Sequence, residues 1–297
     1  MTVHAPLRAD AALARGARRV RRRRSLPSWI KTTAGVAIVA VMLFPLYWMV
    51  NASFQTNQQL ARRSPHWLPW GGTLSGYRDA LSQQGGHLLA SFVIAAGATL
   101  LTLAVAAPAA YALALLRTAG GRALLSVLLV VQLVPGIVMA NALYRIFSSA
   151  GILDSAAALI LADATLAVPF AVLILRAFMT GIPRSVLEAA SLDGAGTVGT
   201  FCRIVLPMSR NALITSGLFA FLFAWGDFLF ATTLNLNSTT WKPITVGLYD
   251  YIGAGTNTTS WNSVMATAVI SSLPAALLLV IAQRHVAAGL AGGALKD

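Results

Sequence analysis

The sequence predicts an all-α integral membrane protein with about six transmembrane helices and with both termini in the cytoplasm. Of its 297 residues, 57% are hydrophobic and only 10% are charged, whereas a soluble domain carries about 25% charged residues. Six apolar runs are each long enough to cross the roughly 30 Å of hydrocarbon in a bilayer. Nine of the 22 Lys and Arg residues precede the first run, which is the charge distribution expected on the cytoplasmic side.

The six runs define the predicted organisation of the chain. They lie at 32–50, 88–116, 123–146, 156–178, 211–232 and 263–283. A basic tail (1–31) precedes the membrane domain (32–283), and a short cytoplasmic tail (284–297) follows it. An even number of spans returns the C-terminus to the side of the N-terminus. Three connections are long: 51–87 and 233–262 on the outer side, and 179–210 in the cytoplasm.

The first run is predicted to be an uncleaved signal-anchor. Val50-Asn51-Ala52 resembles a cleavage site, but Pro45, Tyr47 and Trp48 crowd the end of the run. The arginine-rich stretch before it, taken alone, could suggest nucleic-acid binding or an import signal. Its position directly before a span instead favours an anchor attracted to anionic lipid. We therefore expect the lipid membrane, and no nucleic acid, as a partner, with the chain in the plasma or inner membrane.

Helix-breaking residues interrupt several runs, and the third run combines them with polar side chains. Pro135-Gly136 lies between Gln132 on one side and Asn141 and Tyr144 on the other. Broken helices are tolerated in lipid where neighbouring helices or water satisfy the freed backbone groups. These three polar residues therefore indicate either a helix that lines a solute pathway or a kinked packing helix.

Two carboxyl groups lie within the apolar runs, and a charge in hydrocarbon costs at least about 2.5 kcal/mol. Asp163 lies near the outer end of the fourth run, where a structural role is expected. Asp227 lies in an aromatic stretch; at helical spacing it shares one face with Phe223, while Trp225 lies on another. Aromatic rings beside a carboxylate suit a sugar ring, and the alternative is an aromatic packing helix with one interfacial Asp.

The motifs of common enzymes are missing from the sequence. One cysteine, Cys202, excludes a disulfide framework, and the four scattered histidines form no zinc-binding pair, so no metal site is expected. None of the three lysines follows a glycine, so the chain lacks a phosphate-binding Gly-Lys-Ser/Thr loop. We therefore expect no catalytic residues and no bound cofactor, and ATP could drive this protein only through a partner.

Residues 183–207 are predicted to form a slim helical hairpin in the cytoplasm. Pro183 can precede a short helix over Arg184–Leu192, Asp193-Gly194 is a turn signal, and Thr197–Leu206 reads as a second helix that Pro207 limits. Glu188 is the only Glu in the chain. Small residues keep the hairpin slim enough for a partner to approach its backbone. The alternative is a solvated hairpin without a partner.

The hairpin carries the pattern E-A-A-x3-G-x9-I-x-L-P without a spacing error. This pattern resembles the signature loop of type I ABC importer permeases. The turn Leu192-Asp193-Gly194-Ala195, the stretch AAPAAYALA and the tail GLAGGALKD resemble the carbohydrate branch of maltose-type importers, and the six-span layout resembles the smaller of their two permease subunits. The pattern is met by Glu188, Ala189, Ala190, Gly194, Ile204, Leu206 and Pro207.

The resemblance implies the type I permease fold and a role as half of a translocation pathway for a sugar or oligosaccharide, operated by alternating access. The motif residues together with Asp193 would form the coupling helix, which docks on an ATP-binding subunit dimer that holds ATP and magnesium. A second permease subunit and an extracytoplasmic solute-binding protein would complete the complex. The loop 233–262 would reach the binding protein, and Gly289–Lys296 would also contact the ATPases.

Other functions stay open at the level of sequence. The same machine could carry a polyamine, phosphate or another anion, although Arg145 and Arg176, the arginines in the spans, lie near span ends and favour a neutral solute. A proton-coupled secondary transporter could use Asp163 or Asp227, and a membrane hydrolase has no motif behind it.

One position departs from the family pattern. Where the family often has W-N-[DE]-F, this chain has Gly226 in place of the Asn, which weakens the argument for a polar contact at that position.

Overall fold

A computed structural model describes residues 27–64, 66–116, 120–253 and 260–294. Within these ranges the chain is helical and contains no strand. It divides into two compact units between Tyr47 and Trp48. The first seven helices are α1 (Ser28–Ser53), α2 (Asn57–Leu60), α3 (Ser75–Leu115), α4 (Gly121–Val131), α5 (Gly136–Ser149), α6 (Ala156–Met179) and α7 (Arg184–Leu192).

The second half of the chain begins with a segment that changes helix type. It then forms one more long helix, two short ones and a final long helix. These elements are α8 (Thr197–Thr200), a π-helix (Phe201–Val205), α9 (Leu206–Met208), α10 (Arg210–Trp225), α11 (Leu229–Leu234), α12 (Ile244–Gly253) and α13 (Trp261–Ala294).

Four of the described helices are long and apolar enough to cross a membrane, and two bent pairs raise the number to six if each pair counts as one span. The four are α1, α3, α6 and the first part of α13. The bent pairs are α4 with α5, and the segment Thr197–Met208 with α10. The prediction of about six apolar helical segments therefore agrees with the fold, but two of them are not straight helices.

The helix α3 begins 13 residues before the predicted span at 88–116. Its 41 residues correspond to about 60 Å at 1.5 Å per residue, which is about twice the thickness of the hydrocarbon layer. The added N-terminal part is polar, since it contains Arg78, Asp79 and Gln84. Much of the predicted loop 51–87 is therefore helix that extends beyond the apolar layer.

The third predicted span, 123–146, is wrong as a single helix. It breaks at Gln132–Pro135 into α4 and α5, which meet at 102°. The break has a local cause. Pro135 lacks a backbone N–H, and its ring disfavours helical geometry at Val134. With a bend of 102° between them, α4 and α5 are two separate helices and this run is not one kinked helix.

Three apolar clusters of buried side chains hold the second unit together, and two of them contain residues of both α3 and α6. The first, here called the hairpin-end cluster, includes Ala106, Ala110, Tyr111, Leu175 and Val205, and it lies where α3 and α6 meet residues 183–207. The second, the opposite-end cluster, gathers α5, α11 and α12 around other parts of α3 and α6. Both α3 and α6 therefore run continuously from one cluster to the other.

The contact between α3 and α6 depends on small side chains. A Cβ on Gly97 would lie 2.6 Å from Cδ1 of Ile160, and Ala106 and Ala110 of α3 are buried in a cluster that includes residues of α6. Small residues allow transmembrane helices to approach closely, and van der Waals packing then stabilises the pair. This contact makes α3 and α6 the central pair of the unit.

Candidate functional site

The hairpin at residues 183–207 has the turn that its sequence predicts. Helix α7 ends at Leu192, as predicted, and Gly194 follows with φ +78°. The Ala195 N–H donates to the Ala190 carbonyl at 2.9 Å, and the Gly194 N–H donates to the Ser191 carbonyl at 3.1 Å. This pair of bonds is the Schellman motif, which needs a left-handed residue at the position of Gly194.

The second arm of the hairpin differs from the predicted regular helix over Thr197–Leu206. It continues to Met208 and widens into a π-helix at Phe201–Val205, where the Leu206 N–H donates to the Phe201 carbonyl. Pro207 explains the change, because it has no N–H to donate and its ring clashes with the carbonyl four residues earlier. The wider turn accommodates the ring, and the helix then bends by 78° into α10.

The motif residues divide into an exposed group and an anchored group. Ala190 is 4% exposed, and Ile204 and Leu206 are half-buried. Leu206 packs against the hairpin-end cluster together with Leu187 and Phe201. The exposed group consists of Glu188, Ala189, Asp193, Gly194 and Pro207. The sequence pattern thus contains both residues that hold the hairpin and residues that face outward.

Two exposed apolar residues of the hairpin were missed by the sequence reasoning. Leu192 is 89% exposed and Val198 is 75% exposed. Leu192 lies four residues after Glu188 and therefore on the same face of α7. A large apolar side chain in an otherwise small and polar loop was the available signal. The hairpin consequently presents two carboxylates, Glu188 and Asp193, and two large apolar side chains to the outside.

The base of the hairpin is fixed to α3 by an aromatic contact. The rings of Tyr111 and Phe201 are tilted against each other with centroids 5.1 Å apart. The Tyr111 hydroxyl donates to the Thr197 carbonyl at 3.3 Å. Tyr111 is 7% exposed and belongs to the hairpin-end cluster. Sequence alone gives no reason to pair residues that lie so far apart in the chain.

The structure places the polar residues of the third run on both sides of its break. Gln132 is the C-cap of α4, whereas Asn141 and Tyr144 lie one turn apart on α5, and all three are exposed. Asn141 and Tyr144 share a face because they are three residues apart. Their proposed role in a solute pathway stays a prediction.

The aromatic residues of the fifth run have different surroundings. Trp225 is 8% exposed, its ring stacks on Phe221 at 5.5 Å, and its indole N–H donates to the Ser271 carbonyl at 3.0 Å. Phe223 is half exposed and meets the edge of Phe170. In the described part of the chain, no hydrogen bond or ring contact joins these residues to Gln132, Asn141 and Tyr144.

The prediction that Asp227 shares a helical face with Phe223 is wrong. Helix α10 ends at Trp225, and Asp227 caps the next helix instead: Oδ1 accepts from the Phe230 N–H at 3.1 Å and Oδ2 accepts from the Ala231 N–H at 2.9 Å. The Asp227 carbonyl also accepts from the Thr245 hydroxyl at 2.6 Å. A carboxylate that satisfies free N–H groups at a helix start favours a new helix over continuation of the old one.

This geometry predicts that Asp227→Asn retains transport. The Asn side-chain oxygen can replace one of the two acceptors, while Asp227→Ala removes both and should lower stability by about 1 kcal/mol. The measurement is thermal unfolding of the purified protein together with solute uptake in vesicles. A folded Asp227→Asn protein without uptake would contradict a purely structural carboxylate.

At the end of the unit away from the hairpin, polar contacts hold the described part of the segment 233–262 in place. In the segment 233–262, Lys242 pairs with Asp250 at 2.8 Å, and the Asn235 side-chain N–H donates to the Trp241 carbonyl at 2.8 Å. Asp154 accepts from the backbone N–H of Asn237 at 2.8 Å and from its side chain at 3.1 Å. These bonds hold the pKa of Asp154 below its ordinary value. Residues 254–259 and the tail residues 295–297 lie outside the described residues.

Comparison with known proteins gives consistent results along most of the chain. Residues 103–292 match the family described as the binding-protein-dependent transport system inner membrane component. The chain is 34% identical over 256 residues to the sulfoquinovosyl glycerol transport system permease protein of Agrobacterium fabrum, covering 86% of this chain and 89% of the relative. It is 27% identical over 271 residues to a diacetylchitobiose uptake system permease protein of Streptomyces coelicolor, covering 90% and 96%.

The fold also has a counterpart among solved structures. A bacterial ABC transporter involved in the import of the acidic polysaccharide alginate superposes with a TM-score of 0.76 at 18% identity, covering 96% of this chain and 99% of that chain. At this identity the superposition establishes the fold, which is that of an ABC importer permease. The family match contains the whole hairpin, and the similar relatives agree with this fold. The chain belongs to the family of inner membrane components of binding-protein-dependent transport systems.

Proposed function

We propose that this chain is the permease subunit that moves a sugar or oligosaccharide across the membrane, with its hairpin docked on a separate ATP-hydrolysing subunit. The observation that carries the proposal is the exposed part of the hairpin. Glu188, Leu192 and Val198 lie on the arms of a hairpin whose turn is closed by two backbone hydrogen bonds and whose base packs against a buried cluster. A docked partner can displace such an element without unfolding it.

The exposed side chains have the composition of a docking surface. Burying a Leu or Val side chain stabilises a complex by about 1.5–3 kcal/mol. A few residues usually dominate the energy of an interface, and Leu192 and Val198 are the large apolar side chains that the hairpin exposes. Glu188 adds a charge that can select an oppositely charged partner, since charges at an interface contribute to specificity and to association rate.

The hairpin end would face the cytoplasm, where ATP is available. The arginine-rich N-terminus supports this orientation, with both termini on the same side. ATP and magnesium would be held by a dimer of the partner subunit, and a second permease subunit would form the other half of the pathway. At the other side of the membrane, segment 233–262 would meet the loaded solute-binding protein.

The proposed cargo follows from the relatives. The two permeases reported above are named for a sulfoquinovosyl glycerol and for diacetylchitobiose, both carbohydrate derivatives.

The capped Asp227 supports ATP-driven transport over proton coupling at that residue, because both carboxylate oxygens already accept backbone hydrogen bonds.

The complete transporter in proteoliposomes tests this function. The chain is co-expressed with a candidate ATPase, second permease and solute-binding protein from the same genome, and uptake of radiolabelled maltose, trehalose and diacetylchitobiose is compared with that of spermidine and phosphate. We expect ATP-dependent uptake of a saccharide. Uptake of spermidine or phosphate alone would overturn the proposed cargo, and uptake driven by a pH gradient without ATP would overturn the proposed coupling.

Leu192→Ala is expected to weaken the attachment of the ATPase subunits. Removing the exposed apolar part should cost about 2 kcal/mol of binding, which is about 30-fold in affinity, and should leave folding unchanged because Leu192 is 89% exposed. The measurement is the affinity of the purified ATPase for the permease in detergent. Leu133→Ala is the matched control, since Leu133 is 80% exposed and is not part of the hairpin but lies between α4 and α5. Equal affinities for the two variants would argue against docking through Leu192.

A further inference from the structure

The contact between α3 and the hairpin joins the docking element to the longest helix of the described chain. Tyr111 lies in the last two turns of α3, and Phe201 begins the π-helix of the hairpin. Their rings are 5.1 Å apart, and the Tyr111 hydroxyl reaches the Thr197 carbonyl. The Tyr111 ring thus contacts the second arm of the hairpin at the first residue of its π-helix.

The surroundings of Tyr111 make this contact stiff. Ala106, Ala107 and Ala110 of α3 and Val205 of the hairpin are each at most 4% exposed in the same cluster. Interiors of this kind are close-packed, so they transmit a displacement instead of absorbing it. A movement of Phe201 therefore displaces Tyr111, and with it the end of α3.

Helix α3 leads from this contact to the other end of the unit. Ile94, 17 residues before Tyr111 and about 25 Å away along the helix, is 2% exposed and belongs to the opposite-end cluster with Phe147 and Phe230. The helix between them is unbroken, although Pro108 within it removes one backbone hydrogen bond three residues before Tyr111. The two clusters are therefore connected by one helix whose C-terminal end lies at the hairpin.

We infer that Tyr111 is a positioning residue that transmits movement of the hairpin, through its ring contact with Phe201, along α3 to the opposite end of the unit. This inference rests on the proposed function, since the movement originates in a docked ATPase. It differs from that function because it concerns the path of the movement beyond the docking surface. The Tyr111 ring is the part that acts, because the hydroxyl bond of 3.3 Å is long.

Spin labels at the two ends test the inference in the assembled transporter. Cys202 is the only cysteine of the chain and is exposed, so it carries a label on the hairpin itself. A second protein, with Cys202→Ser and Ser148→Cys, carries the label on exposed Ser148 beside the opposite-end cluster. The probe is ATP with magnesium and orthovanadate, which needs no knowledge of the cargo, and the signal is the change in each label's spectrum.

We expect Tyr111→Leu to leave the response of the hairpin label intact and to reduce that of the opposite-end label about fivefold or more, the usual range of coupling between sites. Tyr111→Phe keeps the ring and should restore the response. Phe219→Leu is the matched control, since it removes an aromatic contact of similar length, 5.2 Å to Phe170, away from the hairpin. It should leave both labels responsive.

The outcomes separate the inference from the proposed function. If neither label responds in the otherwise unmodified protein, the docking of an ATPase on the hairpin is wrong. If the hairpin label responds and the opposite-end label of Tyr111→Leu responds equally well, only the role of Tyr111 is overturned. Loss of the distant response in Tyr111→Phe or in Phe219→Leu would also overturn it, because the effect would then not depend on the ring contact.

Discussion

Glu188→Lys should leave a folded, membrane-inserted protein that no longer couples ATP hydrolysis to uptake. Glu188 is exposed, and its side chain makes no hydrogen bond or ion pair with the residues that the structure describes. The substitution should therefore change the stability of the fold little. At a docked interface, replacing one partner of a charge pair costs about 2–5 kcal/mol, which corresponds to at least about 30-fold weaker association. Reversal adds repulsion to this loss.

The measurement is ATP-driven uptake in vesicles together with co-purification of the ATPase subunits. Glu188→Gln is the matched control, because it keeps the size and helical preference of the side chain and removes only the charge. We expect it to lie between the native protein and Glu188→Lys. Uptake at the native level in Glu188→Lys, with the protein present in normal amount, would refute a charged contact at this position.

The hairpin was predictable because its shape is set by local chemistry. A proline before the first helix and a glycine that must adopt positive φ determine where that helix starts and stops. The observed bounds of α7 coincide with the predicted ones. The π-helix and the continuation of the second arm to Met208 were missed, since the effect of Pro207 depends on how the whole arm packs against the hairpin-end cluster.

The breaks in the apolar runs were harder to predict. A hydropathy window averages over a break when both sides are apolar, so α4 and α5 appeared as one span. The break at Gly226 was hidden for a different reason. Spacing arguments assume that a helix continues, and the competition between the Asp227 carboxylate and the helix backbone becomes visible only when Phe230 and Ala231 are seen to donate to it.

Exposure was the least predictable property. In a chain dissolved in lipid, apolar side chains occur on both the buried and the outer faces, so hydropathy does not separate them. Trp225 therefore appeared available to a solute, although its ring is stacked on Phe221 and its N–H donates to the Ser271 carbonyl. Long-range contacts such as that between Tyr111 and Phe201 require the folded arrangement of α3 and the hairpin.

Gly194→Val should disable the hairpin through its backbone alone. A Cβ at Gly194 would meet no atom within 4 Å, so there is no steric conflict with neighbours. The conflict is conformational, because φ is +78° and a residue with a Cβ loses roughly 1–2 kcal/mol there, with β-branched residues among the least tolerant. If the turn relaxes, the bonds from Ala195 and Gly194 to α7 break, and Leu192 loses its position.

Gly196→Val isolates this cause, because the two glycines differ mainly in backbone angle. Gly196 also has open space within 4 Å, but its φ is −69° and its ψ is 172°, which valine adopts without strain. We expect Gly194→Val to lower ATP-driven uptake by about tenfold or more, as a loss of 1.4 kcal/mol would, and Gly196→Val to stay near the native rate. Gly194→Asn should be intermediate, since Asn tolerates positive φ better than other residues. If both valine variants lose uptake equally, added bulk at the docking surface is the cause, and the left-handed turn is not what positions Glu188 and Leu192 for the ATPase.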